Sequence, residues 1–186
     1  VKIDIDGNKL DGSEYPVNLA GFVQHSYFHR HLDWAHAICH THTTATMAVS
    51  SLEGGLQSIN FYACNFANKI GYHDFEGVTV REEEGARLVE HLGNRRILML
   101  RNHGPVILGK NIYEIFLTHW VLQRACEIQL ATMAMAIALL IGIPAGIASA
   151  VGRGTAWDTM ANVFALWGIS TPNFWLGILM ILFFSV

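Results

Sequence analysis

Charge almost disappears from this chain after Glu127, and this loss limits what the chain can fold into. Beyond that residue only Arg153 and Asp158 carry charge. The uncharged residues 131–152 are as long as the roughly 20 apolar residues that span a bilayer core. A second uncharged stretch covers residues 159–186. The pattern therefore predicts a water-soluble domain followed by two transmembrane helices.

A proline divides the second uncharged stretch. Pro172 removes a backbone donor, so a kink or break in the second helix is expected there. The alternative for the whole tail is a helical hairpin buried in a soluble core. Buried helices usually keep one polar edge, however, and two long stretches without charge favour insertion into a membrane.

Charge and cysteine content exclude two other classes of protein. The net charge is -3 and the isoelectric point is about 6.4, with no stripe of Lys and Arg to neutralise phosphates, so nucleic acid is not expected as a partner. The three cysteines, Cys39, Cys64 and Cys126, are odd in number and lack the spacing of a metal knuckle. We expect no disulfide framework and a reducing compartment.

Before the charge disappears, short apolar runs alternate with Gly, Asn and Asp turns, which predicts a mixed α/β domain. Strands are expected at residues 2–5, 37–42 and 97–100, and helices at residues 81–91 and 111–130. The helix at 81–91 begins with glutamates, which favour a helix start. Its buried stripe is expected to contain Leu88 and Leu92.

Histidines give this domain its candidate chemistry, because all ten precede residue 120. In a strand, His40 and His42 project from the same face, close enough to share one ion. His103, in a turn after a strand, is the natural third ligand, and three imidazoles suit a catalytic Zn²⁺ with one open position. The alternative is two exposed or hydrogen-bonded histidines, since chance pairs are common in so histidine-rich a chain. His29 and His31 form such a pair, which we interpret as helix surface.

Several motifs occur in an order that resembles the class II aldolase/adducin family. They are AGF at 20–22, HS at 25–26, AICHTHT at 37–43, GL at 55–56, YHDFEG at 72–77, LRNHG at 100–104 and LQRAC at 122–126. The resemblance covers residues 1–131 and implies an α/β/α domain, truncated at both ends, with Zn²⁺ bound by His40, His42 and His103. It also implies a small hydroxy-carbonyl or sugar-phosphate substrate, carbon–carbon lyase chemistry and a homo-oligomer.

The chain departs from the family pattern at Gly21, where the sugar-phosphate aldolases of the family carry the glutamate that moves a proton. His25 is the nearest titratable residue and a candidate base, although a structural packing role is the favoured interpretation. The family's phosphate-binding loop lies upstream of the matched residues. The sequence therefore assigns no catalytic residue, and a non-enzymatic adducin-like scaffold is the alternative function.

The tail, residues 132–186, resembles a different family, the inner-membrane permeases of peptide-type ABC transporters. The similar segments are IPAGI at 143–147 and ISTPNFWLG at 169–177, with Asp158 between them. This resemblance implies a two-helix permease fragment that places the chain in the inner or plasma membrane, with the aldolase-like part in the cytoplasm. Because no linker separates helix 111–130 from the first span, we expect a fusion of unrelated pieces, joined by accident or by design.

Overall fold

A four-stranded sheet forms the centre of the first of two compact units, Val1–Thr132 and Met133–Val186. The computed structural model describes residues 1–78 and 82–170. The strands are β1 (Ala37–His40), β2 (Ile70–His73), β3 (Ile97–Leu100) and β4 (Gly104–Gly109), and the helices of this unit are α1 (Leu19–His31), α2 (Thr44–Ser50), α3 (Phe61–Cys64), α4 (Glu82–Leu92) and the start of α5 (Ile112–Val151).

The strand order in the sheet is β1-β4-β3-β2. β4 pairs antiparallel with both β1 and β3, and β2 pairs parallel with β3. Side chains of β3 alternate between two apolar clusters. Leu98 and Leu100 pack with Phe28 of α1 and Leu88 of α4, whereas Ile97 and Met99 pack with residues of α2 and α5. Helices cover both faces of the sheet, so the α/β/α fold expected from the sequence is confirmed.

Two local predictions match the structure closely. Strand 97–100 is β3, with all four residues buried. The helix expected at 81–91 is α4, with Leu88 and Leu92 each at most 1% exposed. Gly93 ends it with a φ of +58°, a left-handed conformation that glycine adopts without steric cost and that stops many helices.

The strand predicted at residues 2–5 is wrong. The only pairing in this segment, within the described residues, is an isolated bridge between Ile3 and Lys9. The carboxylate of Asp4 accepts hydrogen bonds from the backbone N–H groups of Asp6 and Asn8 at 2.9 and 2.8 Å. An aspartate that bonds the backbone two residues ahead stabilises a turn instead of an extended strand.

The helix predicted at 111–130 and the first expected span form one helix of 40 residues, α5. Among the described residues, α5 is the one helix that is long and apolar enough to cross a membrane; its most apolar window has a mean hydropathy of 2.2, and no residue in that window is buried. Its support as a span is length and composition alone. The exposure does not fit a hairpin buried in a soluble core.

The prediction of two transmembrane helices is not supported as it was made. The second described helix of the tail, α6 (Ala156–Ser170), has 15 residues, fewer than the roughly 20 that span a bilayer core. The remainder of the expected second span, with the kink at Pro172 and most of the permease-like motif, lies outside the described residues.

Candidate metal centre

The sheet brings three histidines from two distant segments to one edge. His40 is the last residue of β1, and His42 follows it by two residues. His103 lies in the tight turn that joins β3 to β4, between Asn102, whose φ is +57°, and Gly104, whose φ is +153°. β1 pairs with β4 up to the partners His40 and Val106. This pairing carries the turn, and with it His103, to the end of β1.

The imidazoles of these residues, the trihistidine site, converge through their Nε2 atoms. Nε2 of His40 lies 2.8 Å from Nε2 of His42 and 3.3 Å from Nε2 of His103. One ligand atom from each residue lies within 4.8 Å of the others. Side chains fixed at these separations can bind one ion together, as the sequence predicted for the three residues.

Hydrogen bonding and burial keep His40 in the form that a metal needs. Its Nδ1 lies 3.0 Å from the backbone oxygen of Pro105, so Nδ1–H donates to that carbonyl and the Nε2 lone pair faces the site. The pKa of His40 is lowered by burial, although the Pro105 carbonyl opposes this shift and the nearby His103 and His42 add to it. Burial also lowers the pKa of His103, with His42 contributing.

This donor set fits Zn²⁺. Neutral imidazoles are ligands of borderline softness, and three of them leave the fourth position of a tetrahedral zinc site open. His42 is exposed whereas His40 and His103 are half-buried, so the site can be reached from solvent on the His42 side. The ring of Phe75 lies edge-on to His103, with centroids 6.2 Å apart, and forms an apolar side of the site.

Helix α5 supplies a row of polar side chains to the segment that carries His40 and His42. His119 Nε2 lies 3.3 Å from Thr41 Oγ1. Thr43 Oγ1 donates to Gln123 Oε1 at 2.5 Å, and Gln123 Nε2 donates to Glu127 Oε1 at 2.8 Å. We did not predict this row from the sequence. The signal was available, because His119, Gln123 and Glu127 are spaced by four residues and so share one helix face.

Two cavities lie in the first unit near these residues. A cavity of 660 Å³ is lined by His42, Thr43, Thr44, Gln123 and Glu127, among others. The other has a volume of 570 Å³, and its lining includes Gly21, His25, Asp4 and Ser26. None of the residues lining this second cavity belongs to the trihistidine site.

The remaining histidines of α1 occupy two kinds of environment. His25 is half-buried, and its pKa is lowered by burial and then by the nearby His29 and His40. His29 and His31 are exposed, as expected for helix surface. His29 and His31 each have Nδ1 within hydrogen-bond distance of a backbone oxygen, that of Ala35 and Tyr27 respectively.

A second polar cluster, which we did not predict, joins β2 to α4. His73 is 2% exposed, and its Nδ1 lies 2.8 Å from Nδ1 of His91. Its Nε2 lies 3.5 Å from Glu84 and 3.6 Å from Glu76. Glu84 was expected only to start a helix, yet it is 3% exposed. Its side chain thus belongs to the interior.

Comparison with known proteins agrees with the fold. The family model for the class II aldolase and adducin N-terminal domain matches residues 1–130. A putative aldolase class 2 protein of Caulobacter vibrioides is 38% identical over 73% of this chain and 52% of its own length, and one from Pseudomonas aeruginosa is 40% identical over 79% and 56%. Rat alpha-adducin is 38% identical over 73% of this chain and 19% of its own length.

Solved structures give the same result. An aldolase II superfamily protein from Pseudomonas syringae matches with a TM-score of 0.70 and 31% identity, over 87% of this chain and 67% of that one. L-fuculose 1-phosphate aldolase from Glaciozyma antarctica matches with a TM-score of 0.61 and 26% identity, over 72% and 51%. The chain spans about half the length of the bacterial relatives. It belongs to the class II aldolase and adducin family.

Proposed function

We propose that the first unit is a zinc-dependent, aldolase-like enzyme that acts on a small hydroxy-carbonyl compound, sugar phosphates included. The observation that carries this proposal is the convergence of the Nε2 atoms of His40, His42 and His103. Three imidazole nitrogens at these separations match the donor set of a Zn²⁺ site. Burial lowers the pKa of both His40 and His103, which favours the neutral form that binds a metal.

The three histidines would hold Zn²⁺, which supplies Lewis-acid polarisation of a substrate carbonyl or hydroxyl when bound. His40 orients the site, because its hydrogen bond to the Pro105 carbonyl fixes the ring. His42 is exposed and lines the 660 Å³ cavity, so substrate would approach from that side. Phe75 would offer an apolar contact on the His103 side.

Named relatives support the substrate class. The Glaciozyma protein with the same fold is an L-fuculose 1-phosphate aldolase by name. We extend from it only the class, a hydroxy-carbonyl compound of a few carbons, and the homo-oligomer expected from the family resemblance. The adducin relatives favour a second candidate, a scaffold without turnover. The observation behind it is Gly21, which has no side chain where the family resemblance places a proton-moving glutamate.

Zinc content of the full-length chain, purified in mild detergent, tests the site. We expect about one zinc per chain in the wild type, as for a structural or catalytic three-histidine site, and loss of zinc in His103→Ala. His36→Ala is the matched control, since His36 is exposed and outside the site. Unchanged zinc in His103→Ala would reject the site, and zinc-dependent cleavage of any sugar phosphate would reject the scaffold.

We also propose that the tail, as a permease-like fragment, anchors the chain in the inner or plasma membrane, with the first unit in the cytoplasm. The exposed apolar surface of α5 supports this, because its most apolar window has no buried residue. Washing membranes with alkaline carbonate tests the anchor. An inserted chain stays in the pellet, and release of the intact chain to the supernatant would contradict it. Leu140→Arg should weaken retention, since a central arginine costs about 2.5–3.5 kcal/mol on insertion.

A further inference from the structure

Glu127 lines the same cavity as His42, a member of the trihistidine site. The 660 Å³ cavity is lined by both His42 and Glu127, and Glu127 is the acidic residue among its lining residues, all of which the structure describes. Chemistry at a hydroxy-carbonyl compound requires a base within reach of the reacting C–H or O–H group. A carboxylate that shares a cavity with a member of the trihistidine site meets the first requirement, which is access to the same bound molecule.

The carboxylate of Glu127 is also held in place. Its Oε1 accepts a hydrogen bond from Gln123 Nε2 at 2.8 Å, and Gln123 Oε1 in turn accepts from Thr43 Oγ1 at 2.5 Å. Thr43 is the residue after His42, so one chain of hydrogen bonds connects the carboxylate to the backbone that positions the site. Groups fixed relative to each other in this way lower the entropic cost of reaction.

The other contact of Glu127 does not block this role. Its Oε2 lies 2.9 Å from Nη1 of Arg124, and the two side chains are 37% and 48% exposed. Exposed ion pairs of this kind contribute little free energy. The carboxylate therefore stays available to a bound molecule.

His25 is the competing base, and its surroundings argue against it. It lines the 570 Å³ cavity together with Gly21, and no residue of the trihistidine site lines that cavity. His25 does lie near His40, so the difference between the two candidates is the cavity that each one lines. Glu127 shares its cavity with His42, whereas His25 shares its cavity with none of the three histidines.

We propose that Glu127 is a catalytic residue that moves the substrate proton at the trihistidine site, in place of the carboxylate absent at Gly21; this rests on the function proposed above. A Glu127 carboxylate oxygen takes the proton from the carbon next to the carbonyl of a hydroxy-ketone. The C–H electron pair becomes a C=C bond, and the π pair of the carbonyl moves to its oxygen. Return of a proton to the same carbon restores the ketone, so no co-reactant is consumed.

Solvent deuterium exchange tests the proposal. The full-length protein in mild detergent, supplied with zinc, is incubated in D₂O with hydroxyacetone or dihydroxyacetone phosphate, and incorporation is followed by NMR. Glu127→Gln keeps the size and hydrogen-bonding capacity of the side chain but cannot accept the proton as a carboxylate does. We expect its exchange rate to fall about 10²–10⁴-fold, the range for loss of a general base, while zinc content and the affinity for glycolohydroxamate, measured by calorimetry, stay unchanged.

Three further variants make the result specific. Glu90→Gln, at an exposed position of α4, should exchange like the wild type. His25→Gln should also keep its rate, and Glu127→Asp, which retains a carboxylate one methylene shorter, should recover part of the rate. Full exchange in Glu127→Gln, or loss of exchange in His25→Gln alone, would overturn the assignment and leave the proposed function standing. A zinc-loaded wild type without exchange on either ketone would overturn both.

Discussion

Gly104 is the residue at which one added methyl group should damage both the fold and the trihistidine site. It follows His103 directly and has a φ of +153°. A Cβ at this position would lie 2.5 Å from the backbone oxygen of Thr41. Thr41 separates His40 from His42, so the clash falls on the backbone that carries two of the three proposed ligands. Backbone in a paired strand end cannot rotate away as a flexible side chain can.

The size of the effect follows from these values. Ordinary van der Waals contact begins at 3.4 Å, so Thr41 and residue 104 must separate by roughly 0.9 Å, far more than the ±0.2 Å tolerance of metal–ligand distances. Backbone strain at such a φ costs about 1–3 kcal/mol, and overpacking adds about 1–3 kcal/mol. We therefore expect Gly104→Ala to lower the free energy of unfolding by about 2–6 kcal/mol, and to lower zinc affinity by at least tenfold, which corresponds to about 1.4 kcal/mol.

Urea unfolding followed by circular dichroism, in constant detergent, measures the first effect, and competition with a zinc chelator measures the second. Gly12→Ala is the matched control, because a Cβ there meets no atom within 4 Å. Gly104→Ala that unfolds and binds zinc as Gly12→Ala does would refute the argument. Loss of stability with unchanged zinc affinity would show that the histidines are not held by the turn at Gly104.

Two further predictions concern buried polar groups. The pKa of His73 is lowered by burial and then by the nearby His91. As the pH falls below about 6.5 the unfolded chain therefore takes up this proton first, and the zinc-free protein should lose up to about 1.4 kcal/mol of unfolding free energy per pH unit through this residue. Urea midpoints between pH 7.5 and 5.5 should fall less steeply in His73→Gln, and equal slopes in the two proteins would contradict the assignment. Gln129 is fully buried; its side-chain oxygen accepts a hydrogen bond from the Gln57 backbone N–H, and its amide nitrogen donates to the Gly55 carbonyl. Because Gln129→Leu leaves these two backbone groups without that partner, it should lower the free energy of unfolding by about 1–3 kcal/mol. An unchanged urea midpoint would contradict this.

The elements that sequence patterns predicted well are those whose causes are local. Four successive apolar residues in β3 fit a strand buried on both faces, and α4 has acidic residues at its start, Leu88 and Leu92 on one side and Gly93 at its end. The failure at residues 2–5 has an equally local cause that the pattern concealed. Apolar alternation suggested a strand, but the Asp4 side chain bonds to the N–H groups of Asp6 and Asn8, and this competes with extended pairing.

The candidate site required information of longer range. Alternation along the strand expected at residues 37–42 predicts that His40 and His42 share a face, although β1 ends at His40. His103 reaches them only because β4 pairs with β1 as well as with β3, and no local pattern specifies that pairing. The sequence offered His103 only as a residue in a turn after a strand, and the family resemblance then supported it as the third ligand. The resemblance could not identify Glu127 as a candidate proton-moving residue, because it places the proton-moving glutamate at position 21, where this chain has a glycine.

Helix phase explains why Glu127 was overlooked and how such residues can be found. On α5, residues at four-residue intervals advance about 400° and so return nearly to the same face. Leu122, Ala125 and Cys126 on one side pack into the core, which fixes the rotation of the helix. That rotation leaves His119, Gln123 and Glu127 beside Thr41 and Thr43. Polar residues at four-residue intervals on a helix, next to an apolar face that must be buried, therefore predict side chains that can serve a site formed by other segments. The residues that these side chains contact can be identified once the strand packed against the helix is known.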